Sequence, residues 1–561
     1  MLQFCSLTMF PTMTCSATLV GGICVLATTY LFYLLVVALS FNPLRSLPGP
    51  SVGVFLGNHL NLVLNAEISP RAYELLTRKY GRTMRIRGLG PWDERLLTLD
   101  PVAITHILKN IAVYEKPLLS RRIINNLIGC GMLSAEGRLY KRLRRVATPA
   151  FSVYNMRALV PHVFKKAHQL TNRWLSIMKD HEDEGEWLTI DVCHWLSRAT
   201  FDVIGLAGLG YDFDAIQDET NPLFIAYRDM FEKGLSQTST LRTLVVGYLP
   251  FLNVIFRNRT VRQCQTVIRD ITGRLILDRK RQLEEAAALE IPHSGRDLLS
   301  LLIGANTMQD VPPESRVSDS ELLDSINTFI FAGSDTSSLA MTWTLLLLAK
   351  HPATQTRLRT ELLSLGLSRH ADEMAEEEMQ GFFASLAELP FFHNIVRESL
   401  RLIPPVHSSM RVATRTDIIP LKYTVRRKDG EATSIEVPRG TFIHVPVEGF
   451  NLDKDVWGDD SWDFKHASPD RWDNLPERAR EMPGLFSNIL TFSAGPRSCI
   501  GFRFALIGVK TMLYFLIVNF VFEEAESKVV KHNTVLMRPY ISGRFHDGSQ
   551  CPLRVSVYRS A

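Results

Sequence analysis

Hydrophobic positions divide the chain into a long helical region and a shorter strand-rich region. Periodic apolar positions typical of helices dominate from Val102 to Arg401, and the longest such segment runs from Asp319 to Lys350. After Arg401 the pattern changes to short strand-like pieces at Leu421 to Arg426, Thr433 to Val437 and Thr441 to Val447. We therefore expect a mainly α fold with a smaller β-rich part.

Shorter segments complete this pattern. Tyr80 to Leu99 predicts a small sheet, Thr266 to Leu289 a helix, and Gly501 to Phe520 a return to helix. Leu553 to Val557 predicts a strand that closes a terminal hairpin. No period of 20 to 50 residues is evident, which excludes repeat architectures.

The first charged side chain of the chain is Arg45, and an uncharged apolar run precedes it from Ser16 to Leu39. As a helix this run would span ~36 Å, enough for a bilayer core of ~30 Å. A cleaved signal peptide is the alternative, but its basic start, shorter apolar stretch and small residues at the cut are not evident. The expected division is a lumenal N-terminus (1–15), a transmembrane anchor (16–39), a proline-rich hinge (40–52) and a cytosolic body (53–561).

The segment Arg242 to Phe256 is unusually apolar for a connecting region, and Pro250 limits any helix there. Two interpretations are open, burial in the core or contact with the membrane interface. We favour the core, because exposed apolar patches are the rarer case.

Composition narrows the function only slightly. The 63 Lys and Arg nearly balance the 58 Asp and Glu, so nothing demands a nucleic-acid partner. The eight cysteines are scattered without a C-x-x-C pair or a dense framework, which favours a reducing compartment. Seven of them are interpreted as membrane-segment or small apolar residues, and Cys499 is the exception.

Cys499 lies in the most informative stretch of the chain, FSAGPRSCIG at positions 492–501. Gly495 and Pro496 predict a tight turn, and Gly501 lets a flat group approach the backbone. Backbone N–H groups and the start of the following helix are expected to lower the pKa of the Cys499 thiol, while Arg497 offers a fixed cation. The stretch suits a thiolate that binds iron.

The segment AGSDT at positions 332–336 places poor helix formers inside a helical pattern. Gly333 costs about 1 kcal/mol relative to alanine there. The hydroxyl of Thr336 can bond back to its own helix and bend it, and Gly333 leaves room for a flat group. A kinked core helix without chemistry is the alternative interpretation.

These stretches resemble motifs of the cytochrome P-450 family. Positions 492–501 match its F-x-x-G-x-R-x-C-x-G loop, positions 332–336 its A-G-x-D-T segment, and Glu398 with Arg401 its E-x-x-R pair. The resemblance implies the cytochrome P-450 fold for residues 53–561 and haem b as cofactor, with Cys499 as the axial ligand of its iron. It identifies the chain as similar to the microsomal, membrane-anchored haem-thiolate monooxygenases of fungal type.

The resemblance also implies a role for each candidate residue. Asp335 and Thr336 relay protons to dioxygen, and Glu398, Arg401 and Arg471 form a buried structural network. The residues expected to hold the haem are Cys499, Arg497, Arg144, Tyr140, Arg411, Phe492, Gly501, Gly333 and Ala332. The residues expected to line the substrate pocket are Val406, Phe329 and Tyr540.

Two positions depart from the family pattern. Tyr140 stands where members often have Trp, in a basic stretch, GRLYKRLRR, that is otherwise typical of a solvated helix face. Gly508 stands where they often have Glu.

The activity implied is insertion of one oxygen atom of O₂ into a hydrophobic small molecule, for which a terpenoid-like secondary metabolite is the leading hypothesis. The expected partners are NADPH-cytochrome P-450 reductase, with cytochrome b5 as a second candidate, and the endoplasmic reticulum membrane. Two alternatives remain open: a haem-thiolate isomerase or dehydratase that needs no reductase, and a haem protein or membrane scaffold without catalysis.

Overall fold

The structure is a computed structural model. It describes residues 21–32 except 23, 27 and 31, and residues 42–54, 57–65, 67–181, 185–236, 259–289, 297–307, 316–366, 373–464, 471–533 and 536–559. The apolar segment Arg242 to Phe256, for which we favoured the core, lies outside these residues.

Helices form most of the described chain, which confirms the mainly α prediction. They are α1 (Leu60–Leu64), α2 (Ser69–Tyr80), α3 (Pro101–Lys109), α4 (Leu118–Ile128), α5 (Gly137–Ala147), α6 (Val153–Ala158), α7 (Val160–Asp180), α8 (Val192–Val203), α9 (Pro222–Ser236), α10 (Arg259–Ala288), α11 (Leu298–Thr307), α12 (Asp319–Lys350), α13 (Pro352–Leu363), α14 (Glu376–Glu388), α15 (Pro390–Leu402), α16 (Val447–Asn451), α17 (Lys454–Trp457), α18 (Glu477–Arg480) and α19 (Phe502–Asn519). A π-helical turn, Ile204–Leu209, extends α8.

The strands are β1 (Thr83–Arg87), β2 (Glu94–Thr98), β3 (Tyr114–Glu115), β4 (Leu188–Asp191), β5 (Ser409–Ala413), β6 (Asp417–Arg427), β7 (Gly430–Val437), β8 (Phe442–Val445), β9 (Phe520–Glu524), β10 (Val529–Asn533), β11 (Met537–Ile541) and β12 (Pro552–Val557). The largest described sheet has the order β1-β2-β8-β5-β3. A three-stranded sheet, β4-β12-β9, and the pairs β6-β7 and β10-β11 complete the β part.

The expected terminal hairpin is wrong. β12 pairs antiparallel with β9 on one side and with β4 on the other, while β10 and β11 pair with each other. The last strand therefore joins elements that are far apart in the sequence, and a local pattern cannot show such a partner.

Helix α12 crosses the middle of the protein, and its bounds match the predicted segment Asp319 to Lys350. Ser318 and Glu321 form a capping box at its start, which satisfies the first free N–H groups. Most of its residues are buried, so the helix is hydrophobic on nearly all sides. It can therefore line cavities on more than one face.

Helix α19 follows Cys499 and also belongs to the core. Among the described residues it is the one helix that is long and apolar enough to cross a membrane, but 67% of it is buried inside the protein. Gly508 is buried in this helix, and a Cβ built there would meet no atom within 4 Å. The position thus has room for a side chain, and close packing does not explain its glycine.

The N-terminal part is described only in fragments. The described residues between 21 and 32 are helical, and their apolar side chains, such as Leu26 and Phe32, are exposed. The described part of the segment expected as a hinge, residues 42–52, contacts the body. Leu44 and Leu47 are buried in the main core, and the amide of Arg85 in β1 donates to the carbonyl of Pro48 over 2.9 Å.

Candidate functional site

A cavity of about 340 Å³ separates helix α12 from the loop that carries Cys499. Ala332, Gly333 and Thr336 line it from the helix. The loop side contributes three residues of the predicted site, Phe492, Cys499 and Gly501. The structure thus places the two most specific motifs of the sequence on facing walls of one largely apolar space.

The cysteine loop is fixed by its backbone. Gly495 has φ +70°, and a Cβ there would lie 2.6 Å from the carbonyl oxygen of Leu108, so a larger residue is excluded. Ser493 also has a positive φ of 60°, which is strained for a residue with a side chain. The amide of Cys499 donates to the carbonyl of Phe492 over 2.9 Å and closes the loop. These constraints fix where the thiol enters the cavity.

The pKa of the Cys499 thiol is raised, not lowered as we expected. Desolvation by the surrounding protein raises it most, although the side chain is accessible from the cavity. The amide of Gly501 and the guanidinium of Arg144 act in the opposite direction. Local N–H groups alone therefore do not produce the thiolate, whereas coordination to a metal ion deprotonates a thiol.

A cluster of cations lies at one edge of the cavity. Arg497 donates to the carbonyl of Ala135 over 3.1 Å and pairs with the carboxylate of Glu136. The Nε and Nη1 atoms of Arg497 are buried and have no hydrogen-bond partner in the described structure. Arg411 is buried and donates from Nη1 to the hydroxyl of Ser409 over 2.6 Å.

Lys116 is a further cation of this cluster, and sequence reasoning missed it. Its ammonium lines the cavity; burial lowers its pKa to about 7, with repulsion from Arg411 and Arg497 as the next causes. Burial, followed by repulsion from Arg497, lowers the pKa of Arg411 to about 10. Glu136 pairs with Arg497 and also acts on the charges of Arg411 and Lys116, and mutual repulsion still lowers the pKa of both, so this edge is rich in positive charge.

Tyr140 and Arg144 hold the cysteine loop from α5. The Tyr140 hydroxyl donates to the carbonyl of Pro496 over 2.8 Å, and the Arg497 guanidinium lies 3.8 Å from the centre of its ring. Arg144 donates to the carbonyl of Ser498 over 2.8 Å. Neither is among the described residues that line the cavity, so what the structure shows for both is support of the loop.

The predicted acid and alcohol of α12 face different cavities. The Thr336 hydroxyl donates to the carbonyl of Ala332 over 2.6 Å and lines the first cavity. Asp335 lines a second cavity and pairs there with Arg538. The separation follows from helix geometry, because neighbouring residues are turned by about 100°.

Gly333 packs against the π-helical turn. A Cβ at this position would lie 3.0 Å from Cδ1 of Ile204, whose side chain also lines the first cavity. The space at Gly333 therefore serves close packing of α12 against Ile204 as well as access to the cavity. Sequence reasoning did not identify Ile204, because an apolar residue carries no chemical pattern.

The predicted structural network of Glu398, Arg401 and Arg471 is present in the structure. The carboxylate of Glu398 is bound by Arg401 at 2.7 Å and by Arg471 at 3.2 Å, and Trp472 donates to it over 3.1 Å. Glu398 and Arg401 are fully buried. Arg401 also donates to the carbonyl of Asn451 over 2.8 Å.

Asn451 connects this network to the cysteine loop. Its side-chain oxygen accepts from the amide of Leu490 over 2.9 Å, and its amide group donates to Thr491 over 3.0 Å. Asn451 thereby joins the start of the loop to Arg401 of α15. Arg401 shares the carboxylate of Glu398 with Arg471, which lies after α17.

Two of the three predicted pocket residues line the first cavity. Phe329 and Val406 line the first cavity, and the ring of Phe329 packs edge-on against Phe151 with centroids 5.5 Å apart. Tyr540 is not among the described residues that line this cavity. It is buried in β11, where its ring packs against His532 at 5.1 Å.

Comparison with known proteins identifies the family of the chain. The cytochrome P-450 family model matches residues 47–541. The chain belongs to the cytochrome P-450 family. Cytochrome P-450 monooxygenase 205 of Postia placenta is 34% identical over 538 residues, which cover 94% of this chain and 95% of the relative.

Two other fungal relatives are similar. Cytochrome P-450 monooxygenase 128 of Postia placenta is 34% identical and covers 92% of this chain and 93% of the relative. Cytochrome P-450 monooxygenase claQ of Ampulloclitocybe clavipes is 32% identical with the same coverage. The chain is therefore a member of the cytochrome P-450 monooxygenases, whose cofactor is haem.

The residues present fit a haem. The cavity has a thiol on one wall and the small residues Ala332 and Gly333 on the facing wall, between which a flat group can lie. Lys116, Arg411 and Arg497 outnumber the carboxylate of Glu136 that contacts them, and an edge rich in basic side chains suits the two propionates. Cys499 would bind the iron, and Arg497, Arg411 and Lys116 would bind the propionates.

The cation cluster predicts a specific role for Lys116. Replacing it by Gln is expected to weaken haem affinity about tenfold, because a charge-assisted hydrogen bond contributes about 1.5–3 kcal/mol. Titration of the haem-free protein with haem measures the change. Lys116→Arg should bind nearly as tightly as the wild type.

Haem dimethyl ester, which has no propionate charge, provides the control. Lys116→Gln and wild type should bind this ester equally. An equal loss of affinity for haem and for its ester in Lys116→Gln would contradict the assignment.

Proposed function

We propose that this protein inserts one oxygen atom of O₂ into a hydrophobic small molecule, by hydroxylation or epoxidation, with electrons that a reductase draws from NADPH. The observation that carries this proposal is the position of Thr336 opposite Cys499 across a largely apolar cavity. The bound haem supplies the activation of dioxygen, and the thiolate ligand favours cleavage of the O–O bond.

The chain's own residues bind and orient the substrate. Phe329, Phe151 and Val406 offer an apolar surface above the cysteine loop, and apolar burial drives binding of a lipophilic molecule. No Asp or Glu side chain occurs among the described residues that line this cavity. The lining therefore favours an uncharged substrate, such as a terpenoid of secondary metabolism, and restricts water.

Thr336 and Ser337 place hydroxyl groups on the α12 side of the cavity. The bond from Thr336 to the carbonyl of Ala332 orients its oxygen, which can accept one proton and release its own when that bond breaks. A haem-thiolate isomerase or dehydratase has no need of such a relay. This feature favours the monooxygenase over that alternative.

Isotope labelling tests the reaction. A lipophilic library is first screened for the compound that gives the largest low-to-high-spin shift, and this compound is incubated with the enzyme, NADPH and cytochrome P-450 reductase under ¹⁸O₂. We expect a product that carries one ¹⁸O atom, with NADPH consumed in proportion. An unlabelled isomer or dehydration product formed without NADPH would show that the alternative function is correct.

We further propose that residues 16–39 anchor the protein in the endoplasmic reticulum membrane, with the body in the cytosol. The exposed apolar side chains of the described helical residues between 21 and 32 support this, because water would not stabilise such a surface. NADPH-cytochrome P-450 reductase and cytochrome b5 would then meet the body at the same membrane.

Membrane extraction tests the anchor. The full chain should stay with microsomes after alkaline carbonate, while its body is digested by added protease. A variant that lacks residues 1–41 should be extracted. Protection of the body from protease in intact microsomes would contradict the proposed orientation.

A further inference from the structure

Two side chains of α5 reach the backbone of the cysteine loop. Tyr140 and Arg144 are four residues apart and therefore lie on one face of the helix. The Tyr140 hydroxyl donates to the carbonyl of Pro496, and Arg144 donates to that of Ser498, each over 2.8 Å. These carbonyls precede Cys499 by three residues and by one, so both bonds end on the backbone that leads to the thiol.

The bond from Arg144 holds one end of a peptide unit whose other end is also held. The carbonyl of Ser498 and the N–H of Cys499 belong to the same planar trans peptide and point in opposite directions. The carbonyl accepts from Arg144, and the N–H donates to the carbonyl of Phe492 over 2.9 Å. The Cα atom of Cys499 lies in this plane, so the two bonds together determine where the side chain starts.

The two peptide units before this one are held as well. The amide of Ser498 donates to the carbonyl of Gly495 over 3.0 Å, and Tyr140 holds the carbonyl of the Pro496–Arg497 unit. Three successive peptide units ahead of the cysteine are therefore each fixed by a hydrogen bond. Side chains of α5 donate to two of the three.

Helix α5 can support the loop because it is itself fixed. Tyr140 and Leu143 are buried in the main core. On another side of the helix Arg142 pairs with Glu321, which also forms the capping box of α12. The loop below the first cavity and the helix above it are thus both connected to α5.

We propose that Tyr140 and Arg144 are positioning residues of the thiolate, which keep the sulfur of Cys499 directed at the haem iron, and that this role does not require the haem propionates. The inference rests on the haem-thiolate site of the proposed function. It separates the two α5 residues from Lys116, which lines the cavity and is assigned to a propionate.

Haem dimethyl ester, which lacks the propionate charges, separates the two kinds of role. Full-chain holoenzyme is prepared with haem and with this ester, and urea is added in steps. The carbon monoxide difference spectrum of the reduced protein gives the ratio of bound haem with the ~450 nm band to bound haem without it. Circular dichroism of the same samples measures the unfolding of the helices.

We expect Arg144→Met to lower this ratio about tenfold in mild urea, the factor that corresponds to a charge-assisted hydrogen bond. Tyr140→Phe keeps the ring and loses the hydroxyl donor, so a fall of about fivefold is expected. Arg144→Lys keeps a charged donor and should stay within about twofold of the wild type. The same changes should appear with haem and with its ester.

The two transitions should also separate in the variants. In the wild type the band and the helices should be lost at the same urea concentration. In Arg144→Met and Tyr140→Phe the band should be lost at a lower concentration than the helices, because the loop is released before the fold.

Two variants serve as controls. Arg145→Gln removes the exposed charge next to Arg144 and should match the wild type in both transitions. Lys116→Gln, whose affinity for haem is expected to fall, should keep the wild-type ratio once haem is bound.

A loss of the band in Arg144→Met with haem but not with its ester would overturn the inference, because Arg144 would then act through a propionate. Equal shifts of the band and of helix unfolding would also overturn it, since they would mean a general loss of stability. So would a loss in Arg145→Gln as large as in Arg144→Met. A wild type without the band would refute thiolate ligation, and with it both this inference and the proposed function.

Discussion

The ion pairs of Glu398 with Arg401 and Arg471 support everything built above them. One fully buried carboxylate balances two guanidinium groups, and the unpaired charges left by its removal would cost about 3–5 kcal/mol. Through Asn451 the same network holds the amide of Leu490, where the cysteine loop begins. The position of Cys499 therefore depends on charges buried one layer below it.

Helix α12 borders two cavities of opposite polarity. The first is largely apolar and suits a lipophilic molecule, while the second is polar and suits water. Helix α12 separates them, and its hydroxyl groups at Ser334, Thr336 and Ser338 all bond to its own carbonyls. Polar side chains are thereby satisfied inside a buried helix, on both of its faces.

Local patterns predicted the elements and the cysteine loop well. The bounds of α12 follow from Ser318 and Glu321 at its start and from unbroken apolar spacing, and the turn at Gly495 follows from a glycine that alone fits against Leu108. Orientation was not predictable in this way. Asp335 pairs in the second cavity with Arg538 of β11, which is distant in the sequence, and Tyr540 packs against His532 of the adjacent strand β10. Lys116 has no motif at all, and its role depends on Arg411 and Arg497 beside it.

The central claim is that Cys499 binds the haem iron as a thiolate. The carbon monoxide difference spectrum of the reduced, haem-loaded protein tests it most directly, with Cys499→Ser compared at equal haem content. We predict a Soret band near ~450 nm for the wild type and its loss in Cys499→Ser. A haem-loaded wild type without this band, or a Cys499→Ser variant that keeps it, would contradict the account.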